Sequence, residues 1–257
     1  MHLAPCAVAS AVVRCLWPEP LDPVDVDDFV AGEARPAPDG RPWVLVNMIT
    51  SLDGAIAIEG RSGALGRPAD KATFSALRAV ADVVMAGAGT VRAERYGPAR
   101  PTPAQREARL GRGQTEAPRI AVVTRSLELD LTARLFTESR PLVITCEAAP
   151  ADRRRATEEV ADLVVAGDAT VDLPAVLATL AAEGVAVITC EGGPRLNGDL
   201  VDADLIDEWD CTLSPVLAAG DEGRAAVGPT PAAPVEMRLD RLLEGDGLLL
   251  GRWTRAH

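Results

Sequence analysis

Glu191-Gly192-Gly193-Pro194 places a carboxylate, two residues without side chains and a proline in succession, directly after the β-branched run 185–190. Paired glycines let a ligand approach the backbone closely, and proline opens a helix without wasting an amide donor. Gly87-Ala88-Gly89-Thr90-Val91 follows the apolar run 83–86 in the same way. Amides bared by glycine at a helix start suit a pyrophosphate, but Arg92 stands where the dinucleotide fingerprint has its third glycine, so a tight turn explains the segment equally well. Thr124-Arg125-Ser126 sets a cation between two hydroxyls, a combination suited to a 2′-phosphate and hence to NADPH over NADH, although alone it is also an ordinary solvated loop. A fourth run ends in Asn47-Met48-Ile49-Thr50-Ser51-Leu52-Asp53-Gly54, which offers an amide, two hydroxyls and a carboxylate, while Asp-Gly is itself a common turn.

Other chemistry is excluded by what the chain lacks. Its only two histidines are His2 and His257, at the ends, so Ser-His-Asp and Cys-His systems and His-dependent metal sites have no candidates. The five cysteines are widely spaced with no C-x-x-C pair, and Cys146 and Cys190 read as small buried strand residues; no metal is expected. Acidic residues outnumber Lys and Arg by 38 to 26, which opposes a nucleic-acid partner. No apolar run approaches the roughly 20 residues that cross a bilayer. Residues 3–13 lack the basic start of an export signal, so the chain is expected in the cytoplasm, acting on a small molecule through carboxylates or a cofactor.

The elements that must position these segments are short and alternate. Strands are expected at 43–49, 83–86, 119–124, 141–146, 163–165, 185–190, 208–213, 235–239 and 248–254, several of them apolar at every position, as in strands covered on both faces. Helices are expected at 68–81, 172–184 and 194–203, and an exposed loop or short helix at 99–118. Alternation followed by strands without long helices between them gives an α/β fold, a mixed, mainly parallel sheet flanked by helices with an antiparallel C-terminal edge. Residues 1–41, rich in Pro and Asp from 18 onward, read as an irregular surface arm before one domain over 42–257.

Taken in order, Ser51-Leu52-Asp53-Gly54, Ser62-Gly63, Leu77-Arg78 with Asp82, Gly87 to Val91, Glu191 to Pro194 and Asp207-Glu208 through Pro215-Val216-Leu217 make a specific set across about 43–254. It resembles the reductase domain of the bacterial riboflavin-biosynthesis deaminase/reductase, a family with a dihydrofolate-reductase-like fold. The resemblance implies a homodimeric enzyme that reduces a 5-amino-6-(5-phosphoribosylamino)uracil-type pyrimidine with NADPH. It places the cofactor on Gly87, Ala88, Gly89, Thr90, Val91, Thr124, Arg125, Ser126, Gly192, Gly193 and Pro194, with Thr50, Asp53 and Glu191 beside it. It places substrate near Asn47, Ser51, Ser62, Arg78, Arg95 and Tyr96, and gives catalytic roles to Asp53 and Glu191 as partners of a protonated imine or of the pyrimidine edge. Two positions depart from the family pattern: Ala55 stands where a Lys or Arg is usual, and 93–98 replaces an Asp-rich turn. Arg78, Arg92, Arg95 and Arg100 are the candidate replacement cations. The alternatives are a pterin or dihydrofolate reductase of the same fold and a non-catalytic NADPH-binding protein.

Overall fold

The computed structural model describes residues 12–221, 223–231 and 233–256; His2, Cys6 and His257 lie outside them. Among the described residues, ten strands form one sheet: β1 (Val13–Trp17), β2 (Trp43–Ser51), β3 (Val83–Gly87), β4 (Arg119–Val123), β5 (Leu142–Thr145), β6 (Asp162–Val165), β7 (Val187–Cys190), β8 (Glu208–Ser214), β9 (Met237–Gly245) and β10 (Leu248–Arg255). The helices are α1 (Val26–Ala31), α2 (Pro68–Val80), α3 (Ala88–Ala93), α4 (Pro103–Gly111), α5 (Arg134–Thr137), α6 (Ala151–Val160), α7 (Leu173–Ala182) and α8 (Pro194–Asp202). No described helix is long and apolar enough to cross a membrane.

The strand order is β1-β9-β10-β8-β2-β7-β3-β4-β5-β6. The pairings from β8 to β6 are parallel, whereas β10 runs antiparallel to β8 and β9, and β1 antiparallel to β9. This is the expected mixed sheet with an antiparallel edge. Successive side chains of β2 feed opposite layers: Val44 and Val46 pack with Leu177, Leu180 and Leu200, while Trp43 and Leu45 pack with Ala76 and Leu77. Helices therefore cover both faces, which is why the central strands read as unbroken apolar runs. Because β7 inserts between β2 and β3, the chain leaving β2 must skip a place, and the ends of β2, β7, β3 and β4 open on one crevice.

The far end of α2 is fastened by polar contacts. Thr102 and Gln105 form a capping box that starts α4, and α4 delivers Arg109, whose fully buried guanidinium donates to the carbonyls of Ala79 (3.0 Å) and Ala81 (2.6 Å). Orphan carbonyls at a helix end need such donors. Asp82 then accepts from the amides of Ala186 and Val187, tying the α2–β3 turn to the start of β7. Arg78, in the last turn of α2, is thus held in fixed relation to β7.

The segment before residue 42 differs from a surface arm. It contributes β1 to the sheet edge and α1 beside α2, and it sends charges inward. Arg35 donates to Glu208 (2.8 Å) and Glu33 (2.7 Å), and its side chain is only 4% exposed. Arg41 grips Asp207 with two bonds of 2.5 and 2.7 Å. Glu208, Asp210, Arg241 and Arg252 complete a charged cluster behind β8, β9 and β10. Burial pushes the Glu208 carboxyl up, but Arg35 and Arg252 outweigh it and hold it down to about 2; burial and then the charge of Glu208 push Asp210 well above the carboxylate range. Composition reads 18–42 as solvent-facing because the opposite charges that bury it lie more than 160 residues away.

Candidate active site

A cleft of about 1420 Å³ lies over the ends of β2, β3, β4 and β7, walled by α2, α3 and the starts of α7 and α8. Glu191, the residue after β7, sits on its floor with its side chain 3% exposed. Arg78 binds it through both ends of the guanidinium, Nε to Oε1 and NH2 to Oε2, each at 2.6 Å. Tyr96 adds a third donor, its hydroxyl 2.5 Å from Oε2. Burial, and after it the charge of Glu191, push the Tyr96 phenol well above its ordinary value, so it stays a neutral donor. Burial works against the Arg78 cation, but Glu191 outweighs it and raises its pKa further. The guanidinium also lies 4.3 Å from the Phe74 ring centroid and 5.3 Å from that of Tyr96, so its orientation is fixed by stacking as well as charge. Neighbouring Cys190 is no nucleophile: burial pushes its thiol up to about 12.

The two glycine turns meet beside this carboxylate. The amide of Gly87 donates to the carbonyl of Gly192 at 2.7 Å. Gly192 has φ +83°, a conformation that favours glycine, and a Cβ on Gly193 would stand 2.9 Å from the Thr90 hydroxyl. The first turns of α3 and α8 then leave the amides of Ala88, Gly89, Thr90, Arg195 and Leu196 without intrahelical acceptors. Such a surface suits a pyrophosphate.

Most of the residues expected at the site line this cleft: Asn47, Ser62, Arg78, Arg95 and Tyr96 on one side, Glu191 at the centre, and Gly87 to Thr90, Thr124 to Ser126, Gly193 and Pro194 on the other. Ser62 donates from both its amide (2.9 Å) and its hydroxyl (3.1 Å) to Glu94. The Thr124 hydroxyl accepts from the amide of Leu127 (3.1 Å).

Five expected residues do not line it. Val91 points into the core with Val84 and Val122, and Gly192 is buried behind Gly193. Thr50 lies in the ladder opposite Leu213. Ser51 and Asp53 bond to one another and close a turn, Ser51 accepting from Ala55 N (2.8 Å) and Asp53 from Ala219 N (2.7 Å). Asp53 is exposed, and the Ser51 hydroxyl, then the Ala219 and Ala218 amides, hold its carboxyl down to about 2. Asp53 thus accepts from the amides of Ala218 and Ala219 and ties the turn after β2 to the loop after β8.

Sequence reasoning missed Lys71, Phe74 and Glu94 in the cleft wall. A signal existed for two of them: Lys71, Phe74 and Arg78 fall at i, i+3 and i+7, one face of α2.

Comparison with known proteins agrees with this arrangement. Residues 42–247 match the family described as the RibD C-terminal domain. A protein of Archaeoglobus fulgidus named 2,5-diamino-6-ribosylamino-4(3H)-pyrimidinone 5′-phosphate reductase is 34% identical over 182 residues, covering 70% of this chain and 83% of that one. A protein of the same name from Methanothermobacter thermautotrophicus is 29% identical over 188 residues, with 73% and 84% covered. The solved structure of a pyrimidine reductase-like protein from Corynebacterium diphtheriae superposes with a TM-score of 0.80 at 25% identity, covering 91% of this chain and all of that one. With the family matched through both glycine turns and Glu191, the chain belongs to the RibD C-terminal domain family and is a reductase, which implies a nicotinamide cofactor.

Proposed function

We propose that this reductase uses NADPH to reduce the ribosylamino group of 2,5-diamino-6-ribosylamino-4(3H)-pyrimidinone 5′-phosphate to its ribitylamino form, as a cytoplasmic homodimer. The observation that carries the reading is the position of Glu191, a carboxylate locked by Arg78 and Tyr96 at the junction of two bared-amide turns. The uracil expected from the sequence differs from this substrate only in one ring substituent: the names of the Archaeoglobus and Methanothermobacter relatives carry an amino group where uracil has oxygen, and those names favour the diamino form.

Bound at the two turns, NADPH would supply the hydride for C1′ of the substrate's open-chain, protonated imine, whose C=N bond becomes C–N. Residues 87–90 and 193–196 would hold the pyrophosphate on their amides, and Arg125 with Ser126 would meet the 2′-phosphate. Glu191 offsets the imine's positive charge on the floor of the cleft, where a fixed carboxylate needs no reorganisation as the charge forms and vanishes. Arg78 and Tyr96 prevent that carboxylate from swinging away, and the Phe74 ring holds Arg78 in turn.

The test is oxidation of NADPH and of NADH, followed at 340 nm, with the diamino pyrimidinone phosphate, its uracil counterpart and dihydrofolate offered in parallel. The proposal expects turnover with NADPH and the diamino form above the other two. Turnover of dihydrofolate alone, or preference for NADH, overturns it.

A further inference from the structure

The connection 215–236 between β8 and β9 carries no regular element among the described residues, and a stretch longer than roughly 12–15 residues without one is usually functional in a compact domain. It is fastened at two places. Near its start, Asp53 accepts from the amides of Ala218 and Ala219. Further along, 225–228 lies across the start of α8, the helix whose first amides face the cleft. There the amide of Val227 donates to the carbonyl of Pro194 (2.8 Å), and the side-chain amide of Asn197 donates to the carbonyl of Ala225 (2.7 Å).

Asn197 is fully buried, so its polar atoms must be answered from within the protein. Its Oδ1 accepts from the Cys190 thiol (3.5 Å), and its Nδ2 stands 3.7 Å from the place a Cβ on Gly192 would take. One side chain therefore spans the end of β7, the back of the glycine turn and the segment 225–228. Gly198 makes the crossing possible, because a Cβ there would stand 2.2 Å from the Val227 carbonyl oxygen. Glycine is a poor helix former, and its place inside α8 is explained by this approach of backbone to backbone. The crossing carries Val227 into the cleft wall with Gly193, Pro194 and Arg195, on the side assigned above to the dinucleotide.

We propose that Asn197 is a positioning residue for the cofactor: it clasps 225–228 to the start of α8, so that Val227 and the glycine turn meet the dinucleotide as one surface, and the bound dinucleotide in turn holds the clasp shut. This rests on the placement of the dinucleotide at the two glycine turns. Arg224, exposed and directly before the clasped segment, supplies a reporter. Trypsin needs the chain around a scissile bond to detach, so cleavage after Arg224 reads how often 225–228 lifts away. In the full-length wild type, saturating NADPH should slow that cleavage at least fivefold. N197A removes the donor to Ala225, and G198A drives the segment off sterically while leaving Asn197 in place. Each should speed cleavage after Arg224 and raise the Kd for NADPH, read by its fluorescence, about tenfold, with kcat at saturating NADPH within twofold of the wild type. A merely structural Asn197 would lower the melting temperature of N197A and leave the Kd unchanged, and that result overturns the proposal. So does a wild-type Kd in G198A, which decides alone if N197A does not fold, or cleavage after Arg224 that NADPH does not slow. G193D, which sets a carboxylate where the pyrophosphate is assigned, separates the two readings. Binding lost in G193D but unchanged in N197A and G198A keeps the placement and rejects the clasp, whereas normal binding in G193D rejects the placement and the clasp with it.

Discussion

Two buried ionic assemblies sit on the two halves of the sheet, and they are built to opposite ends. Behind the antiparallel half, Glu33, Arg35, Glu208, Asp210, Arg241 and Arg252 pair with one another and, at the margin, with Trp43, Asp240 and the carbonyls of Val30 and Ala34; the six side chains are at most 10% exposed. At the parallel half, Arg78, Glu191 and Tyr96 form a smaller group whose Arg78 is 23% exposed and opens on the cleft. A cluster shut away from solvent serves the fold, because its charges are held by one another rather than offered to a ligand. An open one holds a charge ready for a ligand that arrives from outside.

Breaking the open group should therefore damage catalysis more than folding. In E191Q, kcat/KM with NADPH and the pyrimidine should fall on the order of a thousandfold, while the melting temperature moves little because water in the cleft solvates Arg78. A large fall in melting temperature with activity retained would place Glu191 among the structural charges instead. The closed cluster should give the reverse. E208Q leaves Arg35 and Arg252 short of a counter-charge and should cost about 3 kcal/mol in urea unfolding, at the low end for a broken buried pair because Asp210 takes up part of the lost charge. Its kcat/KM per folded molecule should match the wild type.

The comparison sharpens with Y96F, which removes one of three donors to Glu191 and leaves Arg78 in place; kcat/KM should drop about tenfold with the fold unchanged. The smallest effect belongs to Asp53, outside both assemblies. Its folded pKa is depressed from 3.8 to about 2, so the hold it exerts on the loop at 218–219 is complete above pH 4 and is lost as pH falls through 2. Hydrogen exchange at the Ala219 amide should rise over that window before the sheet melts, and D53N should show the fast exchange already at neutral pH. If D53N instead abolishes turnover while leaving that amide protected, Asp53 belongs to the chemistry after all.

How much of the site was legible depended on how local its causes are. The two glycine turns and Glu191 could be read because each is a contiguous signal at a strand end. The partners that orient Glu191 could be named as substrate contacts, yet their joint action on one carboxylate, across 113 and 95 residues of chain, could not. The bonds of Asp53 to the loop at 218–219 were not legible, because a carboxylate in an Asp-Gly turn has the same local pattern whether it meets a ligand or pins a loop. Lys71 and Phe74 were not legible because periodicity marks only the core face of α2, formed by Ala69, Ala76 and Leu77, whereas the cleft lies on another face of the same helix.

The sequence by itself determined the alternation of elements, the mainly parallel sheet, the absence of interior histidine and the glycine turns that bare backbone to a ligand, since these follow from periodicity, composition and nearest neighbours. Tertiary structure alone decided that Val13–Trp17 joins the sheet, that Arg35 and Arg41 reach Glu208 and Asp207, and that Arg78 and Tyr96 converge on Glu191. Each of these depends on strand order bringing distant segments together, and a buried charge can be recognised as such only once the opposite charge that holds it is in place.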